Sequence, residues 1–257
     1  SHIALTNAMH WFSAAKDRGD GYSEMMIGRY YYSGKAEGKG WKDAKVLWEN
    51  AAQKNETSAM SFLAYMYRQG RGVPVSYETS RKWYERAIAH GSYSAMHDLA
   101  HLYFKTNCQF HADAKGLALL KAAASEGHGM SMKCLGDAYY YGVHGVRKDQ
   151  KEALKLYESA ANKNVPAAQY MYGCMLWHGE GGVDANENAA KGRFRRAARL
   201  GDPNAKKYLR QINDTGDVGE GSSSGTNTGN VKNKEERENL PPSGKYLTDN
   251  PLVGFGR

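Results

Sequence analysis

Small and apolar residues recur along the chain with a helical spacing, and the whole pattern returns after 36 or 37 residues. Counted from a small residue, apolar side chains fall at i, i+4, i+5 and i+8, which is typical of a helix and not of a strand. The small residues that open these segments are Ser23, Ala59, Ala95, Ser131, Ala168 and Ala205. The pattern therefore predicts an α-helical repeat protein.

A second segment follows each of the first five and completes the repeat. It carries an aromatic residue or leucine, then a pair of small residues, and it ends at Asn55, Gly91, Gly127, Asn164 or Gly201. Glycine and asparagine tolerate the left-handed conformation that ends many helices. Each repeat is thus predicted to contain helix A, a glycine-rich turn and helix B. Because one such hairpin cannot bury its own apolar face, neighbouring hairpins must stack.

The periodicity also sets the predicted organisation of the chain. It gives a partial repeat over 1–20 with helix B only, repeats over 21–55, 56–91, 92–127, 128–164 and 165–201, and a capping helix over 202–214. The turn of 92–127 diverges, because Thr106 replaces the turn glycine. Residues 215–239 are rich in Gly, Ser, Thr and Asn and predict a flexible linker. Residues 240–257 predict a tail peptide that is either disordered or docked on a repeat surface.

The charge balance points to acidic partners. The chain has a net charge of +8 and 18 tyrosines against 6 phenylalanines, a composition that suits an interaction surface. Binding of nucleic acid stays an alternative, although the basic residues are spread over every helix. No apolar run is long enough to span a membrane. Three cysteines without a CxxC spacing argue against a disulfide framework and a zinc knuckle. Cys134 and Cys174 are interpreted as packing or groove-lining residues and not as nucleophiles.

The repeats resemble Sel1-like repeats, relatives of the tetratricopeptide repeat. Residues 59–91 carry the resemblance with Ala59, Leu63, Ala64, Tyr67, Gly70, Gly72, Val73, Trp83, Tyr84, Ala87 and Gly91, and residues 131–164 carry it again. The resemblance implies an all-α, right-handed superhelical solenoid with a concave groove. It also implies a non-catalytic adaptor of bacterial secretion or of immunity to secreted toxins, in the periplasm, secreted or in the cytoplasm. An adaptor of eukaryotic ER quality control is the alternative.

The predicted binding surface lies on helix A, at positions 2, 6, 9 and 10 after the small residue, which point away from the buried stripe. These positions are rich in aromatic and basic side chains, the types that dominate binding energy at interfaces. The predicted partner is an acidic or partly apolar protein or peptide, with no cofactor and no catalytic residue. The predicted groove residues are Arg29, Tyr32, Tyr65, Arg68, His97, His101, Phe104, Lys133, Tyr140, Tyr170, Trp177 and His178.

The stretch "HDLAH" offers a competing interpretation as a metal site. His97 and His101 are four residues apart, as in the H-E-x-x-H signature of zinc proteases. A metal-dependent hydrolase would need a longer acid than Asp98 and a third ligand. In register with the other repeats, both histidines occupy groove positions. Recognition of a partner is therefore favoured over an adventitious metal pair, and over catalysis.

Overall fold

The chain folds into helices alone wherever its structure is described. A computed structural model describes residues 2–106 and 109–216, and within these ranges it contains twelve α-helices and no strand. This confirms the predicted all-α fold. Cys108, the predicted tail 240–257 and all but the first two residues of the predicted linker lie outside the described residues.

The described helices fall into two compact units, of which unit 1 ends at Glu126 and unit 2 begins at Gly127. Unit 1 contains α1 (His2–Asp17), α2 (Gly21–Tyr32), α3 (Trp41–Gln53), α4 (Thr57–Gln69), α5 (Tyr77–Ala89), α6 (Tyr93–Phe104) and α7 (Asp113–Ser125). Unit 2 contains α8 (Gly129–Tyr141), α9 (Gln150–Asn162), α10 (Pro166–His178), α11 (Glu187–Arg199) and α12 (Pro203–Gly216).

Consecutive helices pack against each other within each unit. Helix A pairs with its own helix B in α2–α3, α4–α5, α6–α7, α8–α9 and α10–α11. Helix B also packs against the following helix A, as in α3–α4, α5–α6 and α9–α10. A helix A such as α4 is therefore covered from two directions, which matters for the predicted binding residues on it.

The helix ends follow the predicted pattern. All five residues predicted to end helix B have positive φ, including the non-glycine residues Asn55 (63°) and Asn164 (60°). Most helix A segments end in a left-handed glycine, for example Gly70 and Gly142. The divergent α6 ends instead at Lys105, whose backbone is extended. The missing turn glycine thus changes the path of the chain between α6 and α7.

The core of a repeat is built from a small residue on helix A that faces an aromatic ring on helix B. The Tyr157 ring fills the space beside Gly136, and the Phe194 ring fills the space beside Gly173. Both rings are fully buried. The third repeat reverses the arrangement, since Gly116 on helix B faces Phe104 on helix A. The aromatic rings can approach the backbone this closely only because the opposing residue is small.

Gly173→Ala is expected to destabilise the protein, although alanine ordinarily favours a helix. The new Cβ would lie 2.8 Å from Cε1 of Phe194, and overpacking of this kind costs about 1–3 kcal/mol. The matched control is Gly192→Ala in the facing helix, where the added Cβ would have no described atom within 4 Å. This substitution should stabilise the protein by about 0.5–1 kcal/mol. Urea unfolding followed by circular dichroism measures both changes. A gain of stability in both variants would contradict the close packing.

Candidate interaction surfaces and buried polar clusters

The predicted groove residues divide into a buried and a partly exposed group. Tyr65, Arg68, His97, Lys133 and Tyr170 are buried, whereas Arg29, Tyr32, His101, Phe104, Tyr140, Trp177 and His178 are partly exposed. The prediction that all of them point away from buried surface is therefore wrong for the first five. For the four residues on α4, α6 and α10 the physical cause is the double coverage of helix A, which buries more than the single stripe that periodicity indicates. Lys133 on α8 is buried beside Asp137. Their role in binding stays a prediction.

Arg68 is a buried cation in unit 1. Arg68 is only 7% exposed. Its Nε and Nη2 atoms have no hydrogen-bond acceptor among the described residues. The guanidinium carbon lies 5.4 Å from the ring centroid of Tyr65, within cation–π range. Burial raises the pKa of Tyr84, the charge of Asp98 raises it further, and Arg68 opposes both. Because its unsatisfied donors are buried, Arg68 does not form an open docking surface.

An exposed group of aromatic and basic side chains lies where α2, α3 and α4 meet their turns. We call Tyr32, Trp41 and Arg71 the edge patch. Nη1 of Arg71 donates to the Tyr32 hydroxyl at 3.2 Å, and its guanidinium carbon lies 5.7 Å from the Tyr32 ring centroid. Trp41 is 47% exposed, and its ring lies 6.5 Å from that of Tyr32. The edge patch presents the residue types that most often anchor protein interfaces.

The edge patch rests on a run of buried and half-buried rings in unit 1. Tyr32, Trp48 and Phe62 form this aromatic ladder, with centroid distances of 5.3 Å and 4.9 Å between successive rings. At its far end the guanidinium of Arg29 lies 5.7 Å from the Phe62 ring. The ladder therefore connects two of the predicted groove residues, Arg29 and Tyr32, through packed side chains.

Sequence reasoning identified Tyr32 but missed the other two residues of the edge patch. The helical count covered helix A alone, whereas Trp41 begins helix B and Arg71 follows α4. A signal was present in each case. Trp41 is a tryptophan placed directly after a glycine turn, and Arg71 stands between two turn glycines. Large side chains beside such turns are displayed at the surface.

Unit 2 contains a buried ionic cluster in place of an open basic groove. Lys133 and Asp137 are 4% and 5% exposed, and their Nζ and Oδ2 atoms are 2.5 Å apart. The Tyr157 hydroxyl donates to the other carboxylate oxygen at 2.8 Å. Burial raises the pKa of Asp137, while Lys133 lowers it in part. Since the Lys133 ammonium binds Asp137, charge reversal at Lys133 would test folding rather than partner binding. We call these three residues the buried triad.

The predicted aromatic residues of unit 2 pack mainly against other side chains of that unit. The rings of Tyr170 and Trp177 lie 5.5 Å and 6.5 Å from that of Phe194. Trp177 also contacts Tyr208 edge-to-face at 5.7 Å. Tyr140 donates its hydroxyl to Glu180 at 2.8 Å, and burial raises its pKa. These side chains join α8, α10, α11 and α12, so that packing accounts for most of their surface.

The two histidines of "HDLAH" lie side by side in α6. Their Nε2 atoms are 3.3 Å apart, and the ring centroids are 4.6 Å apart in an edge-to-face arrangement. Nδ1 of His97 lies 3.2 Å from Oδ1 of Asp98. Asp98 therefore orients His97 and is not placed as the general base that a zinc hydrolase would need.

Cys174 is placed as a structural thiol. Burial raises the pKa of Cys174 to about 12, so the nucleophilic thiolate form is almost absent at neutral pH. This agrees with the interpretation of Cys174 as a packing or groove-lining residue and not as a nucleophile. Across the described part of the chain, no helix combines the length and the apolar character that crossing a membrane requires.

Comparison with known proteins identifies the repeats. The family model described as Sel1 repeat matches residues 5–20, 57–92, 134–165 and 166–202. Uncharacterized protein NMB1327 of Neisseria meningitidis is 27% identical over 178 residues, which cover 69% of this chain and 37% of that protein. The chain spans less than two fifths of the length of the curated relatives it matches.

Solved structures are similar to this chain over most of its length. A Sel1 repeat protein from Oxalobacter formigenes matches with a TM-score of 0.70 and 26% identity, over 84% of this chain and 90% of that one. Immunity protein Pa5087 from Pseudomonas aeruginosa matches with a TM-score of 0.56 and 18% identity, over 78% of each chain. The second match supports the fold alone.

Proposed function

This chain is a Sel1 repeat protein, and from that premise we propose that it is a non-catalytic scaffold that binds a partner protein. The edge patch carries the proposal. It combines an exposed tryptophan, a tyrosine and an arginine in one place, and these three residue types are the commonest anchors of protein interfaces. The aromatic ladder holds Tyr32 in place, which limits the entropy that a partner-bound side chain would lose.

The proposed partner surface is acidic or partly apolar. Arg71 already contacts Tyr32 through a hydrogen bond and its ring, so an acidic side chain would meet a guanidinium that is held in position. Trp41 offers apolar area beside it. The net charge of +8 would also attract an acidic protein over a longer range.

The finer proposal is a bacterial adaptor or immunity protein that neutralises or recruits a secreted effector. Immunity proteins of Pseudomonas aeruginosa share the fold, so this fold is compatible with a role in immunity and identifies no partner. Inhibition would work by covering a functional surface of the effector. A periplasmic or secreted location belongs to the same proposal.

Replacing the edge patch should abolish capture of the partner. The measurement is a pull-down from the native host, quantified by mass spectrometry. Trp41→Ala/Arg71→Glu should reduce the recovery of a partner at least tenfold, because each anchor residue commonly contributes about 2 kcal/mol or more of binding free energy. The matched control is Trp11→Ala/Arg18→Glu, which removes the same residue types from exposed positions of unit 1.

The control makes the result specific to the edge patch. A protein recovered by wild type and by the control, but lost from the edge-patch variant, would support the proposal. Equal recovery by all three proteins, or recovery of no protein by wild type, would contradict it. Unchanged circular dichroism of both variants would show that folding is not the cause.

A further inference from the structure

The imidazoles of His97 and His101 are spaced as two ligands of one metal ion. Zinc binds histidine nitrogens at about 2.0–2.1 Å, so two of them at a tetrahedral angle lie about 3.3–3.4 Å apart. The two Nε2 atoms of this pair are 3.3 Å apart. Both residues stand on one helix at i and i+4, so the backbone of α6 already holds them on one face.

Asp98 supplies the supporting contact that metal-bound histidines usually have. Its carboxylate accepts from Nδ1 of His97 at 3.2 Å, which leaves the lone pair of that histidine on Nε2. A carboxylate in this position fixes the ring and makes it a better ligand. His97 is also only 7% exposed, so its orientation is limited by packing as well as by this hydrogen bond.

The surroundings of the pair contain charges of both signs. Asp98 lies close enough to Tyr84 for its charge to raise the pKa of that phenol, and Arg68 acts on the same phenol in the opposite sense. The ring of Phe104 lies 6.3 Å from that of His101, edge-to-face. A divalent cation would therefore enter a site with one carboxylate and one guanidinium nearby and an aromatic wall on one side.

We propose that His97 and His101 bind a divalent transition metal ion through their Nε2 atoms, with Asp98 as the supporting carboxylate. Imidazole ligands suit zinc, copper and nickel, and the near-tetrahedral spacing favours zinc among them. Two coordination positions remain for water or for other donors. When the metal binds, the hydrogen bond between the two rings is lost, and His101 carries its proton on Nδ1. The metal site does not depend on the proposed partner binding.

Metal titration of the full chain tests this proposal. After treatment with chelator, the protein is titrated with Co²⁺, followed by its visible absorption, and then with Zn²⁺ in competition. We expect one equivalent to bind with micromolar or tighter affinity. His97→Ala and His101→Ala should each weaken this binding at least tenfold, and Asp98→Asn should weaken it by about 10–100-fold. His90→Ala, which removes the exposed histidine directly after α5 in the same unit, should leave it unchanged.

Two results would overturn the metal site. One is the absence of saturable binding up to millimolar metal, which would leave the histidines as a hydrogen-bonded pair. The other is binding that survives His101→Ala, which would place an adventitious ion on other histidines or cysteines. If His97→Ala fails to fold, the partly exposed His101 decides the question through His101→Gln, with circular dichroism as the check of folding.

Discussion

Asp137→Ala is expected to lower the free energy of unfolding by about 3–5 kcal/mol, because it removes one partner of a buried ion pair. Lys133 is 4% exposed, and its Nζ atom lies 2.5 Å from the carboxylate that the substitution removes. The Tyr157 hydroxyl loses its acceptor in the same step. Asp202 lies within electrostatic range of Lys133, but its carboxylate already accepts from two backbone N–H groups of α12.

Urea unfolding of Asp137→Ala beside Lys155→Ala would measure this loss. Lys155 forms an ion pair with Glu152 in which both side chains are largely exposed, and such surface pairs contribute about 0–1 kcal/mol. The two substitutions thus remove one ion pair each and differ in burial. Equal losses of stability in the two variants would mean that the buried triad is hydrated in solution.

The same triad should be replaceable as a whole. Burial raises the pKa of Asp137, so ionising this carboxyl is less favourable in the folded protein than in the unfolded chain. For a carboxyl whose folded pKa is raised, the contribution to stability is fully present below the unfolded pKa and is lost as the pH rises through the folded pKa. At neutral pH the ionised carboxyl is therefore a cost. Lys133→Met/Asp137→Leu/Tyr157→Phe should recover most of the stability that Asp137→Ala loses.

The sequence predicts the helices well because each signal is local. A helix B that ends at Asn55 or Asn164 needs a residue that accepts positive φ, and that preference can be read from a single position. The small residues of helix A likewise mark where a ring of helix B approaches, as Gly173 does for Phe194. These features depend on neighbours along the chain, and the positive φ at the end of helix B recurs in all five repeats.

The binding residues are harder to predict because burial depends on which helices pack together. Lys133 and Arg68 look like exposed cations on a helical wheel, but the folded protein buries both. The position of Asp137, four residues after Lys133, was visible in the sequence as a possible ion pair. The contact between Tyr157 of the next helix and Asp137 could not be predicted, because it depends on how two helices pack and not on residues adjacent in sequence. The edge patch was missed for the same reason, because its residues come from three different helices and their turns.

Trp48→Ala is expected to cost about 3–5 kcal/mol, as truncation of large buried rings generally does. Trp48 is fully buried, donates through Nε1 to the Met25 carbonyl at 3.1 Å and stacks on Phe62. Trp48→Phe should lose less, about 1–3 kcal/mol, because it keeps a ring and leaves mainly the Met25 carbonyl without its donor. Trp41→Ala is the matched control, since that tryptophan is half exposed and should change stability by less than about 0.5 kcal/mol.

Hydrogen exchange would show where the stability is lost. In a repeat protein each repeat is stabilised chiefly by its neighbours, so Trp48→Ala should speed amide exchange in α2, α3 and α4 more than in α6 and α7. The two tryptophans then separate folding from binding. Trp48→Ala should remove the aromatic ladder that supports Tyr32, whereas Trp41→Ala should leave exchange unchanged and weaken only the capture of a partner. Loss of protection throughout unit 1 in Trp41→Ala would instead make the edge patch part of the folding core.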